Sequence, residues 1–259
     1  MTNKRRHIFI LFVLALWMIP FSTHAQYRRE HAFSVYGGYG FFKSDFGMRY
    51  DWETNISNNA TQFGVKAYLN LYPRNMQVVR HFRFYSNLDF IFAHLVHKGK
   101  WAEKDSPGGE KLRAMTADPF LAGIGFGTEY WFRDLKNYDF LRYWDRKRIN
   151  AYVGISLNAY YYQPNVKSSL GNVNNLAEQP YILHPRFVGH IYNNGSFAFA
   201  AGLKFGVSVP INYYLQIYWE NPFLWFPGDK VDGLDVNDQA DKYGDWIYTP
   251  VIGLTYIIQ

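Results

Sequence analysis

Apolar and polar residues alternate with period two through eight segments, near residues 31–42, 61–72, 82–94, 119–132, 148–162, 196–208, 212–219 and 246–258. That period marks strands whose two faces meet different surroundings. Phe63, Val65, Ala67, Leu69 and Leu71 share one face, with Gln62, Gly64, Lys66, Tyr68 and Asn70 on the other. Phe82, Phe84, Leu88, Phe90 and Phe92 oppose Arg83, Tyr85, Asn87 and Asp89 in the same way. Ala151, Val153, Ile155 and Leu157 oppose Asn150, Tyr152, Ser156 and Asn158, and Phe197, Phe199, Leu203, Phe205 and Val207 oppose Ala198, Gly202, Lys204 and Gly206. A slip of one residue would exchange the faces, so the register is firmly specified.

The connections alternate as well. Long polar stretches at 43–60, 95–118, 163–195 and 220–245 take turns with shorter ones, among them a tight turn at Pro210. An even strand count with this rhythm predicts an all-β fold, an eight-stranded antiparallel up-and-down transmembrane β-barrel. Both termini then lie on the periplasmic, short-turn side, and the long stretches become extracellular loops. Residues 253–259 alternate to the end of the chain, and the last strand is expected to pair with the strand near Phe33 and remove both sheet edges. Aromatic clusters at Tyr160, Tyr161 and Tyr162, at Tyr218 and Trp219, and at Tyr130, Trp131 and Phe132 are expected to lie at headgroup level. An exported soluble barrel or sandwich would alternate too, but would not need Phe and Leu facing outward on nearly every strand.

The first 25 residues read as a cleaved signal peptide, leaving 26–259 as the barrel domain. Lys4, Arg5 and Arg6 precede an apolar run from Ile8 to Phe21, too short to span a bilayer, and Ser-Thr-His-Ala then leads to Gln26. Cleavage lowers the 27 basic residues by these three to 24, against 21 acidic, so the mature charge is +3 and gives no case for nucleic acid. The chain has no cysteine, so no disulfide holds this exported protein together. A 20% aromatic content sits beside a mean hydropathy of −0.27, a pairing that suits strands facing lipid on one side and a polar bore on the other.

The inferred bore holds Lys66, Arg83, Asp89, Glu129, Lys204, Gln216 and Glu220, mixed with Tyr68, Tyr85, Tyr152 and Tyr214. Eight strands leave room only for side chains, and opposite charges in such a space pair, so a filled lumen is expected and not a conduit. Gly123, Gly125 and Gly127 fall on the inner face with Gly38 and Gly40 and leave room for the tyrosines; with no strand-to-helix turn they are no nucleotide fingerprint.

No catalytic, cofactor or metal site emerges. A lipid-modifying enzyme would need a hydroxyl beside an imidazole, and the pieces are His94, His97, Asp105 and Ser106 in the second long stretch and His190 with Ser196 in the third. His94 and His97 face opposite sides and have no evident third ligand. Asp229, Asp232, Asp235, Asp238, Asp241 and Asp245 crowd the fourth stretch against Lys230 and Lys242, in a spacing unlike a calcium-binding EF-hand; a solvated acidic surface is the expectation. The connection from Arg133 to Arg148 is basic, with Leu135, Tyr138, Leu141 and Trp144 at helical spacing. Its Arg142, Trp144, Arg146, Lys147 and Arg148 suit an interfacial anchor near lipid phosphates, or a docking surface for a periplasmic partner.

Gly253, Leu254, Tyr256 and Ile258 resemble the closing-strand signal read by the barrel assembly machinery, with Ile258 where an aromatic is usual. The glycine- and tyrosine-rich stretch from Val35 to Phe42, then Ser44-Asp45-Phe46-Gly47 and Glu53-Thr54-Asn55, look like small outer-membrane β-barrels of Bacteroidota. The PorG-type barrel of the type IX secretion system is a distant analogue. The resemblance implies an outer-membrane location and a structural or accessory role, possible within a secretion or assembly complex. Expected partners are outer-membrane lipid and lipopolysaccharide, the assembly machinery, and complex subunits. A lipid-modifying enzyme, a narrow channel and a surface adhesin acting through loops two to four are the competing functions.

Overall fold

A computed structural model describes residues 27–47, 51–73, 78–133, 135, 149–212, 214–228, 230–235 and 244–258. The signal-peptide segment 1–25 and the basic residues Arg142, Trp144, Arg146, Lys147 and Arg148 lie outside that set.

Eleven strands form one antiparallel sheet system: β1 (Tyr27–Lys43), β2 (Asn59–Pro73), β3 (Phe82–Val96), β4 (Met115–Ala117), β5 (Phe120–Trp131), β6 (Asn150–Gln163), β7 (Val166–Ser168), β8 (Ser196–Pro210), β9 (Leu215–Trp225), β10 (Trp246–Tyr248) and β11 (Val251–Ile258). Seven of them, with β10 and β11 sharing the eighth position, close a ring. The closure is the expected one, with Phe33 opposite Tyr256 across β1 and β11. Short β4 and β7 extend the sheet beyond the end of β3.

The seventh ring strand runs farther than the pattern predicts. Glu220, Asn221 and Pro222 lie inside β9, where the alternation read from sequence ended at Trp219. Pro222 is tolerated because Asn221 and Pro222 stand opposite Thr249 and Pro250, where the neighbouring strand is itself interrupted. The same interruption corrects the role of Gly38 and Gly40. A Cβ on either would overlap the backbone oxygens of Pro250 or Tyr248, so these glycines admit main chain and not tyrosines. At Gly123 and Gly127 the expectation holds, since a Cβ would strike the rings of Tyr160 and Tyr85.

Outward positions carry large apolar side chains around the whole ring: Phe33 and Val35 on β1, Phe63 on β2, Phe90 on β3, Phe126 on β5, Leu157 on β6, Phe199 on β8, Trp219 on β9 and Leu254 on β11. Leu157 is 75% and Phe199 74% exposed, a cost in water that a lipid surround removes. Among the described residues no helix is long and apolar enough to cross a membrane.

The aromatic clusters divide between the two faces, because neighbours on a strand point to opposite sides. Tyr161, Tyr130, Phe132 and Trp219 are exposed as a headgroup girdle requires, whereas Tyr160, Tyr162, Trp131 and Tyr218 are buried. Tyr214 is exchanged the other way: it precedes β9, is exposed, and stacks on Tyr256 with ring centroids 6.2 Å apart.

The long connections are not open polar loops. They contain helices α1 (Trp52–Ile56), α2 (Pro107–Ala114) and α3 (Gln179–Ile182) and a single turn of 3-10 helix at Pro185–Phe187. Phe46, Leu112, Met115, Leu183, Phe187, Phe226 and Leu234 from these connections are buried in one cluster with Phe42, Ile91, Leu121 and Ile247 from the adjoining barrel interior. The barrel therefore carries a folded cap at its long-connection end.

Candidate functional site

Two enclosed regions could serve function: the bore and a cavity in the cap. In the bore, β2, β5, β8 and β9 each bring one charged side chain to a common level. Lys66 lies 2.5 Å from Glu220, and Lys204 lies 2.6 Å from Glu129 and 3.2 Å from Glu220. The free carboxylate oxygens are taken up by neutral donors: the Tyr152 hydroxyl gives a 2.9 Å hydrogen bond to Glu220, and the Trp131 indole N–H a 3.0 Å bond to Glu129. Two ammonium groups and two carboxylates thus balance, which a dry interior demands.

Arg83 completes the lattice nearer the short-turn end. Its Nε donates to Asn70 Oδ1 at 2.8 Å, and its guanidinium carbon lies 4.7 Å from the ring centre of Tyr68 and 5.0 Å from that of Trp131. Asp89 departs from the expected opposite-charge pairing. It accepts hydrogen bonds from Tyr36, Asn87 and, at 3.0 Å, Tyr160, so neutral donors hold this carboxylate. Gln216 faces Ser208, and Tyr218 faces Ser34 at 2.7 Å. A void of about 30 Å³ lies among these side chains, room for a single water.

Toward the long-connection end the inner face becomes apolar, through Phe42, Ala60, Ile91, Leu121, Leu224 and Ile247, and merges with the cap. Above it lies a cavity of about 910 Å³, walled by parts of all four long connections. The Ser44-Asp45-Phe46-Gly47 stretch that follows β1 forms one wall. Phe46, His97 and Phe187 stack in series, with centroids 4.5 and 5.3 Å apart. Arg186 reaches Asp45 at 3.7 Å, tying the third connection to the first. Ser106 caps α2, its Oγ accepting from the Gly109 N–H at 3.2 Å, and brings the first turn of that helix to the cavity.

Burial, with the Arg186 guanidinium adding to it, pushes the His97 imidazole down to about 3, so it stays neutral at any ordinary pH. Burial also lowers His184, helped by Arg186 and Lys111. Of the hydroxyl and imidazole candidates, only His97 and Ser106 line the cavity, joined by Asp245 from the acidic fourth connection. His94 points away, as expected, and holds Asp118 at 2.7 Å; although partial burial works against it, hydrogen bonds from His94 and Lys167 keep that carboxyl below its usual range. His190 bonds the Asp235 carbonyl at 2.8 Å. The structure thus forms no hydroxyl–imidazole pair from these candidates. His184, Arg186 and Phe187 were missed by sequence reasoning, and their only signal was a dense His-Pro-Arg-Phe run inside a long connection.

The fourth connection is not a uniformly solvated acidic surface. Asp232 and Asp245 are buried, accepting from the backbone N–H groups of Leu234 and Asp45 and of Val231 respectively. Asp235 pairs with Lys230 at 2.9 Å, while Asp229, Asp238, Asp241 and Lys242 lie outside the described residues. No group of three or more His, Asp or Glu side chains placed to hold a metal ion occurs among the described residues.

On the closing strand, Leu254, Tyr256 and Ile258 face outward and Gly253 faces in, against the Tyr218 ring. A ring closed by hydrogen bonds, with an apolar belt outside, has the architecture of a membrane-spanning barrel. The chain has the fold of an outer-membrane β-barrel. No protein-family model matches it, and no curated protein does. Among solved structures it is similar to the attachment invasion locus protein Ail of Yersinia pestis, crystallised with the heparin analogue sucrose octasulfate (9% identity, TM-score 0.44, covering 89% of this chain and 99% of that one). It is also similar to Neisserial surface protein A (11%, 0.41, 90% and 97%) and to a major outer membrane protein of Thermus thermophilus (13%, 0.45, 91% and 100%). The barrel reading itself rests on the strand pairing and the apolar belt.

Proposed function

We propose that this outer-membrane protein is a non-conducting barrel that acts as a rigid stand for its cap, and that its role is accessory or binding, not transport. The observation that carries this reading is the bore: Lys66, Lys204, Glu129 and Glu220 cross-link four strands at one level, with a void of about 30 Å³ among them. Moving a solute through would require breaking buried ion pairs, which costs several kcal/mol each. The cap adds support, since burying an apolar core in the connections keeps a fixed surface at one end of the barrel.

An accessory role within a secretion or assembly complex, as the likeness to PorG-type barrels implies, belongs to the same proposal, with the cap or the basic connection around Arg142 as contact surface. Single-channel recording in planar bilayers tests the first part. The expected trace is flat, and steady conductance above leak would overturn the reading. Affinity purification in mild detergent tests the second: recovery of stoichiometric outer-membrane partners is expected, and recovery of the barrel alone would remove the complex.

A further inference from the structure

We propose that the cap cavity binds a small organic anion with a planar or apolar body. The inference rests on reading the cap as the working part of the molecule. At about 910 Å³ the cavity lies within the range of small-ligand pockets.

The charge at its walls is asymmetric once existing commitments are counted. Asp45 meets Arg186, Asp51 accepts from the Glu53 N–H as the cap of α1, and Asp245 accepts from the Val231 N–H. Asp51 and Asp245 keep their charge in these hydrogen bonds, so the walls carry four cations, Lys43, Lys98, Lys104 and Arg186, against three carboxylates, a net excess of one positive charge. Lys43, Lys98 and Lys104 also line the cavity, and none forms an ion pair among the described residues. Lys43 and Lys104 lie 5.0 and 3.9 Å from the ring centres of Trp246 and Trp101, contacts that hold an ammonium without neutralising it. The first turn of α2, through Gly108 and Gly109, adds the positive end of a helix on the same wall.

A second observation is independent of charge. The Nε2 atom of His97 is shielded from solvent and meets no hydrogen-bond partner. Leaving a buried polar atom unsatisfied is costly, and a ligand group removes that cost where the ring stack shifts to admit it. The ligand's body is indicated by the apolar part of the lining: the stack of Phe46, His97 and Phe187, with Leu112 and with Trp101, which is 57% exposed. Rings of this kind accept a planar or apolar group, while the lysines take the anion.

The test is isothermal titration calorimetry of the full chain in detergent, with empty micelles as blank. The probes are 1-naphthyl phosphate, its uncharged counterpart 1-naphthyl glucoside, and inorganic phosphate. Saturable binding of 1-naphthyl phosphate is expected, with the other two at least tenfold weaker. The double variant Lys43→Gln/Lys98→Gln should weaken it about tenfold, and Trp101→Ala should weaken it while leaving any response to inorganic phosphate unchanged. Retained heat-modifiable migration on gels confirms that each variant barrel is folded.

No heat beyond the blank, or equal binding of the glucoside, would overturn the inference. Equal affinity for inorganic phosphate would overturn its planar-body part. Bilayer recording on the same preparation separates the two proposals, because a silent barrel that fails to bind sinks only this one.

Discussion

The bore and the cap are both enclosed, yet they are filled by opposite chemistry. In the bore every wall residue comes from a strand whose register is locked by its neighbours, and the ring leaves space only for side chains. Polar groups are tolerated there because partners sit at fixed heights: Lys66, Lys204, Glu129 and Glu220 meet at 2.5 to 3.2 Å. The cap has only the short ladder of β4 and β7. Its segments are held by burying Phe46, Leu183, Phe187 and Phe226, and irregular chain packs less completely, which leaves about 910 Å³ against 30 Å³ below. Regular backbone supports a closed polar lattice, while irregular backbone needs an apolar core and can keep a cavity within it.

The largest effect that would break this comparison comes from the lattice. Glu220→Ala leaves Lys66 short of its partner and Lys204 with only Glu129, and should destabilise the whole barrel by about 3–5 kcal/mol. Urea unfolding followed by gel mobility measures it. A change below about 1 kcal/mol would mean that the ion pairs are not what holds the bore.

Phe187→Ala removes a ring that stacks on His97 and should cost about 3 kcal/mol, confined to the cap. Limited proteolysis should then cut between residues 97 and 114 and between 169 and 195 while the barrel keeps its heat-modifiable mobility. Joint loss of both would show that cap and barrel unfold as one unit.

Gly253→Val places side-chain atoms against the Tyr218 ring inside the closing strand and should cost about 2 kcal/mol by overpacking. Slower membrane assembly in a pulse-chase experiment checks it. Gly189→Ala, where a Cβ would meet nothing but the backbone has a φ of +81°, gives a cap counterpart governed by conformation and not by space.

The smallest effect near neutrality involves His97. Its imidazole sits at about 3 in the folded cap against an ordinary 6.5, so the unfolded chain binds the extra proton between those values. The stability it contributes is complete above about pH 6.5 and is lost progressively as pH falls toward 3. Hydrogen exchange of cap amides should therefore quicken between pH 6 and 4 beyond the intrinsic trend, and His97→Phe should reduce that excess to the part His184 contributes. An unchanged excess in the variant would assign the proton to another group.

The strands were legible because facing is a local property. Phe63 against Gln62, or Phe84 against Arg83, states which side is lipid without knowledge of any other strand. The errors fall where depth or a non-local contact decides. Tyr214 has the parity of an inner residue, but it lies in the turn before β9, where the pleat has not begun. Gly38 and Gly40 point inward as expected, and their neighbour turned out to be the broken main chain at Pro250. Asp89 was expected to find a cation and found two tyrosines and an asparagine. In the long connections the polar composition hid a scatter of single apolar residues with no period to reveal them, so Phe46, Leu112 and Phe187 looked like parts of solvated loops.

The sequence by itself determined the number of ring strands, the facing of their side chains, the pairing of the last strand with the strand near Phe33 and the apolar belt, because period-two alternation and its one-residue register penalty are written along the chain. Only the tertiary structure decided which bore charges meet, that four connections fold into a cap, and that a lysine-lined cavity opens within it. Those outcomes depend on residues far apart in sequence arriving at one height, as Asp45 and Arg186 do, and no local pattern encodes that distance.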